Sequence, residues 1–211
     1  RRHTRFRNVT GVQTCALPIC QFTAGYLDPK NPAFDRGNCS QNRTHIGNLS
    51  VGAQSPHYNN ALGMVVSDWR LAGIFNARSG SWLTVTTGRD INGSGIGAQR
   101  VNQVKDDPYG DKSLTNYLSA SAFAYPDAGT LGNHKNYSIT GPGFWTVDLA
   151  LTRLMNVSAQ QSLEFRVEVF NLFNNFNWGN PATNLDAGTF GRITTASGDP
   201  RIMQFGVKYG F

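Results

Sequence analysis

From Trp145 to Val157 the chain reads WTVDLALTRLMNV, and its side chains change character with a period of two. Trp145, Val147, Leu149, Leu151, Met155 and Val157 fall on one side, interrupted by Arg153 alone. Thr146, Asp148, Ala150, Thr152 and Asn156 fall on the other. Successive side chains of an extended strand point to opposite faces, so the pattern predicts a strand with one apolar face. A helix would mix the two sets on every side. Leu163, Phe165, Val167 and Val169 repeat the alternation against Glu164, Arg166 and Glu168. SAQQ, residues 158–161, separates the two runs and predicts a hairpin turn. Both apolar sets carry odd numbers. Cross-strand partners must therefore sum to an even number, near 318 or 320, or one face would invert.

The same period recurs elsewhere. Met203, Phe205, Val207, Tyr209 and Phe211 alternate with Gln204, Gly206, Lys208 and Gly210 at the end of the chain. Trp69, Leu71, Gly73 and Phe75 alternate with Arg70, Ala72, Ile74 and Asn76. The Ser79-Gly80-Ser81 turn is expected to lead into a further strand carrying Leu83, Val85 and Thr87. A weaker strand is expected from about Thr44 to Gly52. The reading is an all-β chain of about six antiparallel strands. Residues 89–144 and 176–200 are long connections rich in Gly, Asn, Asp and Pro.

A soluble half-buried sheet also alternates, so composition has to arbitrate. Only 15% of the residues are charged, against about a quarter in soluble domains, while there are 13 Phe, 7 Tyr and 4 Trp. No apolar run reaches the roughly 18 residues of a membrane helix. The mean hydropathy of −0.35 suits a barrel, whose strands alternate lipid-facing and lumen-facing residues. Aromatic rings at strand ends (Trp145, Tyr209, Phe211) suit a membrane interface. The fold expected is therefore an antiparallel transmembrane β-barrel fragment. Trp145, Val147, Leu149, Leu151, Leu163, Phe165, Val167, Val169, Phe205 and Val207 are expected to face lipid. Asp148, Glu164, Arg166, Glu168 and Lys208 are expected to face the lumen. Arg153, near the short turn, would snorkel to headgroups. With short turns in the periplasm and long loops outside, the C-terminus falls in the periplasm.

The net charge of +6 does not point to nucleic acid. Arg1, Arg2, Arg5 and Arg7 supply four of those charges, and without them +2 remains. Val9 to Ile19 reads VTGVQTCALPI, which resembles the translation of a common sequencing adapter. Residues 1–19 are accordingly expected to be an assembly artefact, and residues 20–211 the protein proper. Cys15 then belongs to the artefact, Cys20 to its edge, and Cys39 alone makes no disulfide framework.

Phe165 to Phe211 carries a set of motifs: FNLFN at Phe170–Asn174, GNP at Gly179–Pro181, FGRI at Phe190–Ile193 and DPR at Asp199–Arg201. This set closely resembles the C-terminal end of Oar-like TonB-dependent receptors. Looser likeness covers Asp35–Asn38, Trp69–Gly80 and Gly141–Arg153. The resemblance implies an outer-membrane location in a Gram-negative bacterium. It also implies a part in energy-dependent uptake or export of a large substrate. Gly206, Tyr209 and Phe211 resemble the signal read by the outer-membrane assembly machinery. The implied partners are outer-membrane lipid and that machinery, with the TonB complex reached only through an N-terminal plug region not seen here. Such transporters use roughly 22 strands. A six-strand piece is expected to transport nothing alone and to aggregate.

No catalytic residue, cofactor or metal is expected. Glu164 and Glu168 share a face but lie about 13 Å apart along a strand, too far for a glycosidase pair. Asp106, Asp107 and Asp111 lack calcium-loop spacing. His3, His45, His57 and His134 are scattered. Gly93 to Gly97 follows no βα unit and reads as a flexible loop. Two other classes remain: a small complete barrel with a structural or adhesive role, and a soluble β-sandwich binding glycans through Trp82, Trp145 or Trp178.

Overall fold

The computed structural model describes residues 27–28, 30–58, 63–158 and 160–211. The adapter-like stretch 1–19 lies outside the described residues. Among the described residues nine strands follow one another: β1 (Ile46–Gln54), β2 (Trp69–Arg78), β3 (Trp82–Leu83), β4 (Asn102–Gln103), β5 (Phe123–Ala124), β6 (Ile139–Thr140), β7 (Phe144–Ser158), β8 (Gln161–Phe170) and β9 (Ile202–Gly210). The five long ones form a single antiparallel sheet in the order β1-β2-β7-β8-β9. The sheet is open, so β1 and β9 are its edges among the described residues.

Register follows side-chain character. On β7 and β8, Leu149 faces Val169, Leu151 faces Val167 and Met155 faces Leu163, each pair summing to 318. The sum slips by one only at Ser158 and Gln161, beside the short turn. Phe75 opposes Val147 on one flank, and Phe165 opposes Val207 on the other. Every cross-strand pair up to that slip joins residues of equal parity. A shift of one residue anywhere would put Asp148, Glu164, Arg166, Glu168 or Lys208 among the apolar groups.

The connections separate by end. The end of β1, the start of β2, the ends of β7 and β8 that meet at Ser158 and Gln161, and Phe211 lie at one end of the sheet, called here the turn end. The segments before β1, between β2 and β7, and between β8 and β9 lie at the other, the loop end. The SAQQ turn and the two long connections fall at opposite ends, as expected. Ser79-Gly80-Ser81, expected as a short turn, belongs to the loop end, and the connection between β1 and β2 at the turn end is not short.

The strand expected at Leu83, Val85 and Thr87 is corrected by the structure. β2 is not followed by a sheet neighbour through Ser79–Ser81; it pairs with β7, reached after more than sixty residues. Trp82 and Leu83 make a two-residue pairing with Thr140 and Ile139, while Val85 and Thr87 are fully buried. The alternation was real, but those side chains alternate into a compact loop unit. The weak strand lies at Ile46–Gln54, two residues later than expected.

The two long connections are not loose. Val85, Val101, Tyr117, Leu118, Ala122, Phe123, Ile139 and Ile193 form the molecule's buried apolar cluster, with Trp178, Leu185 and Phe190 packed against it. Backbone bonds knit the segments: Thr86 N–H to Thr183 C=O (3.0 Å), Leu185 N–H to Thr86 C=O (2.9 Å) and Ile193 N–H to Leu114 C=O (2.8 Å). Gly191 sits at φ +73°, where a Cβ would also collide with the Leu118 carbonyl. Only glycine satisfies both demands, which accounts for its place in the FGRI element. Cys39 is disulfide-bonded, contrary to the expectation that it takes no part in a bridge.

Candidate two-faced wall and its loop-end crown

The odd-numbered face of the sheet is apolar across all five strands. It carries Leu49 and Val51 from β1, Leu71 and Phe75 from β2, Val147, Leu149 and Leu151 from β7, Leu163, Phe165, Val167 and Val169 from β8, and Phe205, Val207 and Tyr209 from β9. Val169 is the one buried residue of the five long strands. Phe205 is 73% exposed and Val207 67%. A soluble sandwich would place these groups at its centre. Here the dry centre lies in the loop unit, and the sheet keeps a contiguous bare apolar face. Monomeric soluble proteins rarely expose such a patch beyond a few hundred Å².

Arg153 is the one charge on that face. Its guanidinium lies 5.3 Å from the Trp69 ring, its cross-strand partner. Eight residues separate it from Trp145, which opens the strand near the loop end. Trp145 packs at 6.1 Å on Phe173, itself 64% exposed. At the turn end, Tyr209 and Phe211 stack with centroids 5.9 Å apart. Aromatic rings thus close the apolar band at both ends.

The even-numbered face carries the charges. Glu164 stands opposite Lys208, and Arg166 opposite Gly206 and Thr152. The Arg166 guanidinium also pairs with Glu168, two residues along its own strand. Asp148 accepts a hydrogen bond from the Asn171 backbone N–H at 2.9 Å. The five carboxylates and cations singled out from the sequence therefore share one side, and Gly206 lies with them. Tyr209 lies on the apolar side, and Phe211 projects past the strand end at 97% exposure.

An asparagine clip joins wall to crown. β8 stops at Phe170, where Asn171 (φ +50°) and Asn174 (φ +51°) take the left-handed conformation that asparagine tolerates. Beyond that point β7 has lost its neighbour on one side, and loop groups take over. Leu172 N–H donates to the Val147 carbonyl at 2.8 Å. The Asn177 side-chain carbonyl accepts from Trp145 N–H, and its amide N–H donates to the Trp145 carbonyl, both at 2.9 Å. One side-chain amide thereby does the work of a neighbouring peptide. Asn171 Nδ2 donates to the carbonyls of Asn175 and Asp199 (2.9 and 3.0 Å). Asn174 accepts from Arg201 N–H at 3.0 Å. Sequence reading had seen FNLFN only as a likeness; four asparagines within seven residues, 171–177, at a strand end were the available signal.

Other polar candidates have local duties. Asp107 and Asp111 accept from the backbone N–H of Tyr109 and Ser113 at 3.0 Å each; hydrogen bonds from the Ser113 backbone and then its side chain hold the Asp111 carboxyl below its usual range. His134 is fully buried between the Phe123 ring and Gln103 Oε1 (3.0 Å). Burial first, then Arg100, pushes its pKa down to about 4. Trp178 packs on the crown's core, Trp82 is half-buried on a cavity wall and Trp145 lies on the sheet.

Comparison with known proteins gives one family. A family model described as outer membrane beta barrel domain matches residues 8–204, from within the adapter-like stretch to the last strand. No curated protein and no solved structure matches.

Proposed function

The chain belongs to the outer membrane beta barrel domain family and resides in the outer membrane, and from that premise we propose that its sheet is a wall section of a TonB-dependent transporter for a large substrate. The observation that carries the wall is the single-parity apolar face. In this reading Trp145, Val147, Leu149, Leu151, Leu163, Phe165, Val167, Phe205 and Val207 meet lipid, while Val169, on the same face, is buried within the protein and departs from the expected lipid contact. Asp148, Glu164, Arg166, Glu168 and Lys208 line a wet interior.

Dimensions support the reading. Ten residues separate Trp145 from Met155, about 34 Å along a strand. A tilt of about 40° turns that into roughly 26 Å of height, close to the ~25 Å apolar band of outer-membrane barrels. Arg153 then sits near the inner interface, where a cation costs about 0–1 kcal/mol. The short β7–β8 turn and the β1–β2 connection at one end, and the longer, folded crown at the other, give periplasmic and external sides. The open sheet supports assembly into a larger barrel, since lipid tolerates no unpaired edge. β9, with Gly206, Tyr209 and Phe211, is the strand offered to the assembly machinery. The motif set from Phe170 to Arg201 supports the transporter type, with the TonB complex engaged outside these strands. No residue is assigned a catalytic role.

Spin labels test the wall. Labels at 147, 167 and 205 in bilayers should be relaxed by oxygen and shielded from a water-soluble nickel complex. Labels at 148, 168 and 208 should behave the opposite way. Equal nickel access at both sets would remove the membrane wall. The transporter part is tested by the reading frame upstream of residue 20: a plug domain supports it, and an adjacent start codon overturns it.

A further inference from the structure

The crown encloses a chamber of about 410 Å³ between the N-terminal segment, β3 and the Asn136–Tyr137 turn. Its walls are largely apolar, with Leu27, Trp82, Leu83, Ile96, Ala98 and Tyr137. The ion pair of Asp35 and Arg100 (3.1 Å), buried on both sides, also borders it and is neutral as a unit. A second recess of about 190 Å³ shares Arg43, Ser81 and Asn180 with the chamber and adds Arg78, Ser79 and Ser197. One compartment presents mainly apolar surface and the other mainly polar surface, and Arg43, Ser81 and Asn180 line both.

The recess carries uncompensated positive charge. Arg43 gives one nitrogen to the carbonyls of Ser40 and Asn42 (2.7 and 2.9 Å). Arg78 lies over the Phe144 ring at 4.3 Å. Neither forms an ion pair with a carboxylate among the described residues. Burial, then the nearby Arg78, pulls the Arg43 pKa below its usual value, the mark of a cation held in part from water beside a like charge. Guanidinium groups present paired donors that match an oxyanion.

We propose that chamber and recess form one binding site for a small amphiphilic anion, its apolar body in the chamber and its carboxylate or phosphate between Arg43 and Arg78. The size suits it: at ~30 Å³ per water-sized group, the chamber takes roughly a dozen non-hydrogen atoms. Small-molecule sites are mostly apolar with a few convergent polar groups. The site depends on the crown's geometry and not on the transport reading.

The test is titration calorimetry on the full chain in dodecyl maltoside, with phenylbutanoate and phenethyl phosphate as anionic probes. Phenylbutanamide and phenylbutylamine are the neutral and cationic counterparts. At least one anion should bind with a Kd below about 1 mM, the amide about tenfold more weakly, and the amine not at all. The tighter anion identifies the headgroup. Arg43→Gln and Arg78→Gln should each weaken the anion about fivefold and leave the amide unchanged. Ala98→Phe, which fills the chamber, should weaken both. Equal affinity for anion and amide, indifference to both arginine changes, or no binding by any probe would each overturn the site. The probe comparison on the unaltered chain decides even if a variant fails to fold.

Discussion

Removing the side-chain amide of Asn177 leaves the Trp145 N–H without its acceptor. The Trp145 carbonyl keeps a weaker donor in Asn175, at 3.2 Å. An orphaned buried donor costs about 1–3 kcal/mol. Asn177→Ala should therefore lower crown stability by that amount and speed amide exchange at Trp145; unchanged exchange would show that the clip is not carrying the junction. His134 gives a second residue-scale expectation. Its folded pKa of about 4 lies below the usual 6.5, so the unfolded chain binds the proton first. The neutral ring's contribution is complete above about pH 6.5, falls as pH drops, and levels off below about pH 4. That difference amounts to something on the order of 3 kcal/mol. Melting of the crown across this window should show the slope, and His134→Gln should flatten it. Neither residue stood out in the sequence. Asn177 acts through a backbone thirty-two positions away, and His134 acquires its burial from segments that only the fold brings together.

At the scale of the element, parity decides cost. Phe205 lies in the row of Val167, Leu151 and Leu71, within the apolar band. Phe205→Arg should destabilise the folded protein in liposomes by about 2–4 kcal/mol, and Gln204→Arg, one position away, by under about 1 kcal/mol. Equal penalties would mean that the two faces see the same medium. The four strongest strands and the even pairing sum were readable because a period of two survives without knowledge of neighbours. The Leu83–Thr87 run misled for the same reason. Alternation reports that one side is dry, not which layer dries it, and there the dry side is the crown's own core. The chamber lining was invisible in advance, since its residues come from five separated stretches and carry no shared spacing.

For the whole molecule, the two dry regions belong to different media. The crown buries Val85, Val101 and Ile139 completely, whereas the sheet's apolar face waits for a covering. Withdrawing detergent should therefore precipitate the chain while hydrogen-bonded amides of the crown, such as His134 and Ile193, stay protected; loss of protection in both regions at once would show one cooperative unit. The structural separation has a further meaning. Sheet and crown meet through a handful of asparagine amides, a carboxylate, a few peptide groups and the ring contact of Trp145 with Phe173. Substitutions at crown residues that touch none of these groups should therefore leave the strand register and the apolar face unchanged, whereas the recess, which borrows Arg78 and Phe144 from the strand ends, is tied to the sheet. The asparagine seam is thus the place where a change in the crown would first be passed to the strands.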